Sequence, residues 1–209
     1  MSAYVVKNIF GPTLQGEGSH TGRVVKFLRF AGCNRWTGRP QDQAKSVCWF
    51  CDTDFYAGTK YTAVQIGDAL DALGDCKTVV ISGGEPALQI DDALLQALTE
   101  RGYVLHLETN GSIALGPLHD YFEHISMSPK QCRSETKLER CQDVKILYPS
   151  PINEVSPEAF QDFPAACYYV QPLDESNKTA EHTREAIAFC LEHPNWRLSL
   201  QTHKITGVE

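Results

Sequence analysis

Thr78-Val79-Val80-Ile81-Ser82-Gly83-Gly84-Glu85-Pro86 is the stretch on which the reading of the chain turns. A run of β-prone residues ends on two glycines. Residues 91–101 then carry Ala93, Leu94, Leu95, Ala97 and Leu98 at helical spacing and stop at Gly102. A second apolar run, residues 103–108, completes a strand, helix, strand unit whose two strands must lie parallel. Upstream, Thr62 is placed to cap a helix with Val64, Ile66, Ala69, Leu70 and Leu73, ended by Gly74. Before it, residues 23–30 form a strand bounded by Gly22 and Gly32. Downstream, residues 124–127, 143–148, 168–171 and 197–201 read as strands, and residues 181–192 as a helix ahead of Pro194. Residues 112–122 and 149–164 are punctuated by Pro and Gly and read as loops or short turns, so the helical layer should be thin.

The chain has 209 residues, 42% hydrophobic and 22% charged, which suits one domain over residues 1–209 with an ample core. A full eight-fold (β/α) barrel needs about 250 residues. The expected fold is therefore α/β with mostly parallel strands, a partial barrel of the (β/α)6 type with a reduced helical layer. A formal charge of −7 with scattered basic residues lacks the footprint of a nucleic-acid binder. No run approaches the roughly 18 apolar residues of a membrane span. The Met1-Ser2-Ala3-Tyr4 start has no leader character, so a cytoplasmic location is expected.

In a reducing compartment the eight cysteines stay as thiols, and their spacing matters more than their number. Cys33 and Cys48 are separated by fourteen residues, Cys48 and Cys51 by two. Three thiolates can hold a four-iron cluster with one iron left open to an outside ligand. They also suit zinc, with Cys48 and Cys51 as a half-site and Cys33, Cys76 or His20 to complete it. On the cysteines alone both readings stand. Cys76, Cys132, Cys141, Cys167 and Cys190 are unpaired in spacing and receive no role. The Ser82 to Pro86 segment sits at a strand's carboxyl end, where ligands bind in α/β folds, and its glycines let backbone approach a ligand closely. Gly11-x4-Gly16 is no phosphate loop, because Glu17 and Gly18 stand where Lys and Ser or Thr are required.

The cysteine triplet upstream of Gly83-Gly84-Glu85-Pro86 resembles the radical S-adenosylmethionine (SAM) enzymes, with a longer first gap than that family commonly has. The extra length points to a subgroup with an insertion in the cluster loop at about residues 34–47. Phe10 to Gly18, Phe27 to Asn34, Cys51-Asp52-Thr53, Glu108-Thr109-Asn110-Gly111, Ser126 to Lys130 and Gln171-Pro172-Leu173-Asp174 together are similar to the 7-carboxy-7-deazaguanine synthase family. That resemblance implies a radical SAM barrel and a lyase. It would convert 6-carboxy-5,6,7,8-tetrahydropterin to 7-carboxy-7-deazaguanine with loss of ammonia, for queuosine and other 7-deazapurines.

By the same resemblance Cys33, Cys48 and Cys51 ligate one 4Fe-4S cluster, and Thr53 offers its hydroxyl to magnesium. Gly84 and Glu85 would meet the methionyl ammonium of SAM. Phe50 and Asp52 would flank the cluster face, and Ser128, Pro129, Lys130, Gln171, Pro172, Leu173 and Asp174 would hold the rest of the cofactor. Leu14, Gln15, Gly16, Glu17, Arg29, Ser82 and the terminal Glu209 are the implied pterin contacts. Arg29 suits a carboxylate because its planar fork pairs with one bidentately. Glu17 suits the amino and ring N–H groups of the pterin. The resemblance also implies a flavodoxin-type electron donor, and the thin helical layer suggests a homodimer. Two competing expectations are a radical SAM activase that abstracts a glycyl hydrogen from a protein partner and a zinc-stabilised binding module without SAM.

Overall fold

A computed structural model describes residues 3–208. Among them nine strands share one sheet: β1 (Tyr4–Leu14), β2 (Val24–Phe30), β3 (Thr59–Tyr61), β4 (Thr78–Gly83), β5 (Val104–Thr109), β6 (Phe122–Met127), β7 (Cys141–Tyr148), β8 (Ala165–Pro172) and β9 (Trp196–Leu198). Their order is β3-β1-β2-β4-β5-β6-β7-β8-β9. From β2 through β4 to β9 every pairing is parallel, which makes seven parallel strands, one more than the six-fold expectation. β1 and β3 extend the sheet antiparallel beside β2.

Neither β1 nor β3 was read from the sequence. Gly11 and Pro12 interrupt the pattern of β1, and the structure absorbs them in a register shift between Phe10 and Thr13. A bulge is one of the few places where a strand tolerates proline. β9 also differs from expectation: it starts at Trp196 and ends at Leu198, and residues 199–201 leave the sheet for the mouth of the barrel.

Three longer helices, α2 (Ala63–Asp71), α3 (Asp92–Glu100) and α5 (Thr179–Glu192), cover the outer face; α1 (Pro40–Gln43), α4 (Pro157–Phe160) and α6 (Thr202–Thr206) are single turns or little more. Thr62 and Gln65 cap α2 reciprocally, and the Asp91 carboxylate accepts from Leu94 N at 2.9 Å to start α3. Ile66 and Leu70 of α2 and Leu94, Leu95 and Leu98 of α3 are fully buried with Leu28, Val79, Ile81 and Leu107 of the strands. Each such side chain contributes roughly 1.5–3 kcal/mol by leaving water.

The opposite face follows another rule. Parallel sheets are normally apolar on both sides. Here Leu105, Leu107, Ile125, Val144, Ile146 and Val170 belong to the outer core, while the alternate positions carry His106, Glu108, His124, Ser126, Asp143, Lys145 and Gln171. The sheet curls around these groups, because the connection from β1 to β2 reaches across to β7 and beyond. Ser19 N donates to Asp143 Oδ2 at 2.8 Å, and Gly18 N donates to Ser199 Oγ at 3.0 Å. The polar interior forms two layers, as barrel interiors do. The floor holds Ser19, His20, His106, His124 and Asp143. The layer above it, towards the strands' carboxyl ends, holds Glu17, Glu108, Lys145 and Gln171. Burial drives His106 down to about 4, so it is neutral. Among the described residues no helix is long and apolar enough to cross a membrane.

Candidate active site

Above the second layer the strand ends enclose a cavity of about 520 Å³. Its shape depends on two close backbone approaches. A Cβ on Gly84 would stand 2.1 Å from Gly32 O and 2.7 Å from Cys33 Cβ, so the loop after β4 can rest on the chain leaving β2 only because residue 84 has no side chain. Glu85 N closes that contact by donating to Gly32 O at 3.0 Å. On the other side a Cβ on Gly16 would meet His203 Nδ1 at 2.1 Å. Glycine there lets α6 lie over the mouth, with Thr202 N and Oγ1 donating to Gly16 O at 3.0 and 3.1 Å.

Cys33, Cys48 and Cys51 all line this cavity. Cys33 leaves β2, and its sulfur accepts from Arg35 N at 3.4 Å. Cys51 N donates to Cys48 O at 2.9 Å in a tight turn, held by Gln43 of α1, whose amide donates to Trp49 O and Cys51 O at 3.1 and 2.7 Å. Burial pushes Cys33 up and Cys48 up to about 11, Cys48 despite the nearby Lys130 charge. A bound metal would have to supply the charge that makes them thiolates.

Three thiols meet at this cavity, and three thiolates would suit a four-iron cluster with one iron left open to an outside ligand. Of the three zinc completions, Cys33 lines the same cavity, whereas His20 stacks on His106 in the floor and Cys76 donates to Val24 O at 3.4 Å before β4.

Most of the expected contacts meet at the cavity. Leu14, Gln15, Gly16, Glu17, Arg29, Phe50, Asp52, Thr53, Ser82, Gly84, Ser128, Lys130, Gln171, Leu173 and Asp174 all line it. Arg29 lies over the Phe10 ring at 5.3 Å, and Phe10 stacks on Phe27 at 5.1 Å, giving that wall a flat aromatic platform beside a cation. Lys130 donates to Ser128 O and Oγ at 2.8 and 2.7 Å, and burial lowers its pKa.

Four expectations need correction or fall outside. Glu85 is not on the cavity wall. Its buried carboxylate accepts from Thr109 Oγ1, Asn110 N and Ala87 N at 2.8, 2.7 and 3.0 Å, so it fixes the loop after β5 and leaves the backbone of Gly84 to face a ligand. Pro129 and Pro172 do not line the cavity either; each shapes the backbone between residues that do. Glu209 lies outside the described residues.

Sequence reasoning missed the charged centre of the site. Lys145, inward on β7, donates to Glu17 Oε2 and Glu108 Oε2 at 2.5 and 2.9 Å. Burial opposes the charge on Glu17, but Lys145 and hydrogen bonds from Lys145 and Gln201 hold its carboxyl at about 2. Lys145 is raised: burial works against its charge, and Glu108 and Glu17 outweigh that. Gln171 and Gln201 complete the shell, donating to Glu17 Oε1 at 3.2 and 3.0 Å. A charged residue between Val144 and Ile146 was the signal for Lys145. Lys204 of α6 was also missed; it donates to Asp52 and Asp174 at 2.5 and 2.6 Å and latches the chain end to the cysteine loop.

No family model matches this chain. It is 45% identical to the 7-carboxy-7-deazaguanine synthase of Bradyrhizobium diazoefficiens, with 99% of each chain covered. To the enzyme of the same name from Bordetella pertussis it is 43% identical, again over 99% of each chain. Among solved structures it is similar to QueE from Escherichia coli, with a TM-score of 0.66 at 22% identity over 95% of this chain and 93% of that one. That structural likeness concerns the fold.

Proposed function

Because the chain belongs to the 7-carboxy-7-deazaguanine synthase family, we propose that it makes 7-carboxy-7-deazaguanine from 6-carboxy-5,6,7,8-tetrahydropterin, with loss of ammonia, as a radical SAM lyase. The observation that carries this reading is one cavity lined by three thiols together with Glu17, Arg29 and the stacked rings of Phe10 and Phe27. When bound, a 4Fe-4S cluster and SAM supply the radical chemistry that abstracts hydrogen from the substrate. The protein's part is to hold, orient and shield.

Cys33, Cys48 and Cys51 are the cluster ligands in this reading, and Gly84 offers its backbone to the methionyl end of SAM. Ser128, Lys130, Gln171, Leu173 and Asp174 hold the remainder of SAM, with Phe50 and Asp52 at the cluster face. Thr53, two residues after the last cysteine, would offer its hydroxyl to a magnesium ion that also touches substrate. Arg29 pairs with the 6-carboxylate, while Leu14, Gln15, Gly16 and Ser82 frame the pterin. Glu17 accepts from its amino and ring N–H groups. An ionised Glu17 suits that role, since Lys145 keeps it deprotonated at any working pH. Glu108 and Lys145 restrain Glu17 from below, and α6 with its Lys204 latch excludes water from above.

The α6 cover supports a small molecule over a glycyl-radical protein partner, and a zinc module would lack the fourth ligand expected of His20 or Cys76, neither of which lines the cavity. A cytoplasmic setting and a flavodoxin-type electron donor belong to this reading. A second copy of the chain has a natural seat on α5, where Ile187 and Leu191 are 42% and 81% exposed one turn apart. The test of the activity is anaerobic incubation of reconstituted protein with reductant, SAM, magnesium and the carboxytetrahydropterin, followed by mass spectrometry. A product lighter by one ammonia with the retention of authentic 7-carboxy-7-deazaguanine is expected; unchanged pterin from a cluster-loaded sample contradicts the reading.

A further inference from the structure

His20, His106 and Glu123 meet at the floor of the barrel, at the opposite end from the cysteines. We propose that they form a second metal site, for a divalent transition-metal ion of the zinc type. The potential ligand atoms of the three side chains all lie within 4.8 Å of one another. Two imidazoles and one carboxylate, with a position left for water, are a common zinc set. His106 is 2% exposed, and His20 Nδ1 is buried with no hydrogen-bond partner. A buried imidazole nitrogen in that state costs stability, and a metal would satisfy it.

The local chain is built to gather these groups. His106 and His124 are register partners on β5 and β6, whereas Leu105 pairs with Phe122, so Glu123 is an extra residue in the ladder. A bulge of this kind re-aims a side chain. Here it turns Glu123 Oε1 to within 3.3 Å of His106 Nε2, on the side its place in the strand would not otherwise give it. His20 arrives from the turn between β1 and β2 and stacks on His106 with ring centroids 4.5 Å apart. Arg23 shares Glu123 Oε1 at 3.1 Å, and the carboxylate's second oxygen lets it keep that pair while binding an ion. Glu123 is 52% exposed along its side chain, which opens the site to solvent and gives an ion its path in. Because His20 ends the same turn that starts at Glu17, an ion here would anchor the backbone beneath Glu17. The site itself stands independently of what binds at the mouth.

The test uses cluster-loaded protein, so that the cysteines are occupied, dialysed anaerobically against zinc chloride, with zinc and iron measured together. Wild-type protein is expected to retain about one zinc per chain beyond its iron. H106Q and E123Q should retain none at the same free zinc, an affinity loss of more than about 100-fold with iron unchanged. E123Q replaces a half-exposed side chain and carries the test if H106Q does not fold. Zinc should raise the thermal midpoint of wild-type protein only, and a large excess of magnesium, which prefers oxygen ligands, should not displace it. Equal zinc in wild type and both variants, or none in wild type, overturns the site.

Discussion

The mouth and the floor of the barrel are both polar, both buried, and lie on the same strands, yet they solve the burial of ionisable groups in opposite ways. At the mouth Lys145 is 4% exposed and remains charged, because Glu17 and Glu108 sit at 2.5 and 2.9 Å. At the floor His106 has only the half-exposed Glu123 beside it and two other histidines around it, and burial drives it neutral at about 4. Depth does not decide the charge of a buried group; the number of compensating partners does. The mouth thereby keeps Glu17 ionised, and the floor keeps His106 neutral.

The largest expected effect is at the mouth. Cys33→Ala, Cys48→Ala or Cys51→Ala should each lower iron from about four per chain towards background and abolish turnover. The same substitution at Cys141, a buried cysteine outside the cavity, should leave iron unchanged. Iron retained at full level in any of the three would break the assignment of that cysteine.

Next in size is Lys145→Met, which strands two carboxylates and should cost about 3–5 kcal/mol in urea unfolding at neutral pH. The native carboxyl of Glu17 titrates at about 2 against an ordinary 4.5, so its pair with Lys145 stabilises the fold fully above about pH 4.5. That contribution fades as pH falls from there towards 2. The variant, lacking it, should unfold at a higher pH on acid titration. An unchanged acid midpoint would mean that Lys145 does not hold Glu17 ionised.

At the floor His124→Asn removes a partner of Asp143, which His124 Nε2 contacts at 3.2 Å. A loss of about 1–2 kcal/mol is expected, with kcat/KM for the pterin changed less than about three-fold. A large loss of kcat at intact stability would show that the floor takes part in the chemistry and erase the contrast between the layers.

The smallest effect belongs to Lys204→Ala. Its two ion pairs are partly exposed, so stability should move by less than about 1 kcal/mol. The loosened cover over the cavity should instead raise KM for substrate roughly three- to ten-fold with little change in kcat. Equal KM values would remove α6 from the account of water exclusion.

Much of this was legible in the sequence, for physical reasons that differ by region. The parallel strands and the three longer helices announce themselves by apolar period and by the Thr62 cap, with the bounds of the last strand misread. The antiparallel β1 was hidden because Gly11 and Pro12 break its alternation at a bulge. The cysteine loop and the Gly83-Gly84 turn were readable, since ligand spacing and glycine pairs are local signals. Glu85 misled because a carboxylate in a ligand-binding loop looks like a ligand contact, whereas this one is fully buried off the cavity and spends its oxygens on Ala87, Thr109 and Asn110. Lys145, Glu108 and Lys204 act only through partners far along the chain, such as Glu17 and Asp52, and no local pattern reveals such pairs.

In the proposed reading the three cysteines at the mouth would hold a cluster with one iron left open to SAM. Electron paramagnetic resonance of the dithionite-reduced, anaerobically reconstituted protein tests it most directly, recorded with and without SAM and with iron counted on the same sample. About four irons per chain and a spectrum that changes on adding SAM are expected. A spectrum indifferent to SAM, or a colourless protein carrying stoichiometric zinc on its cysteines, would contradict the account.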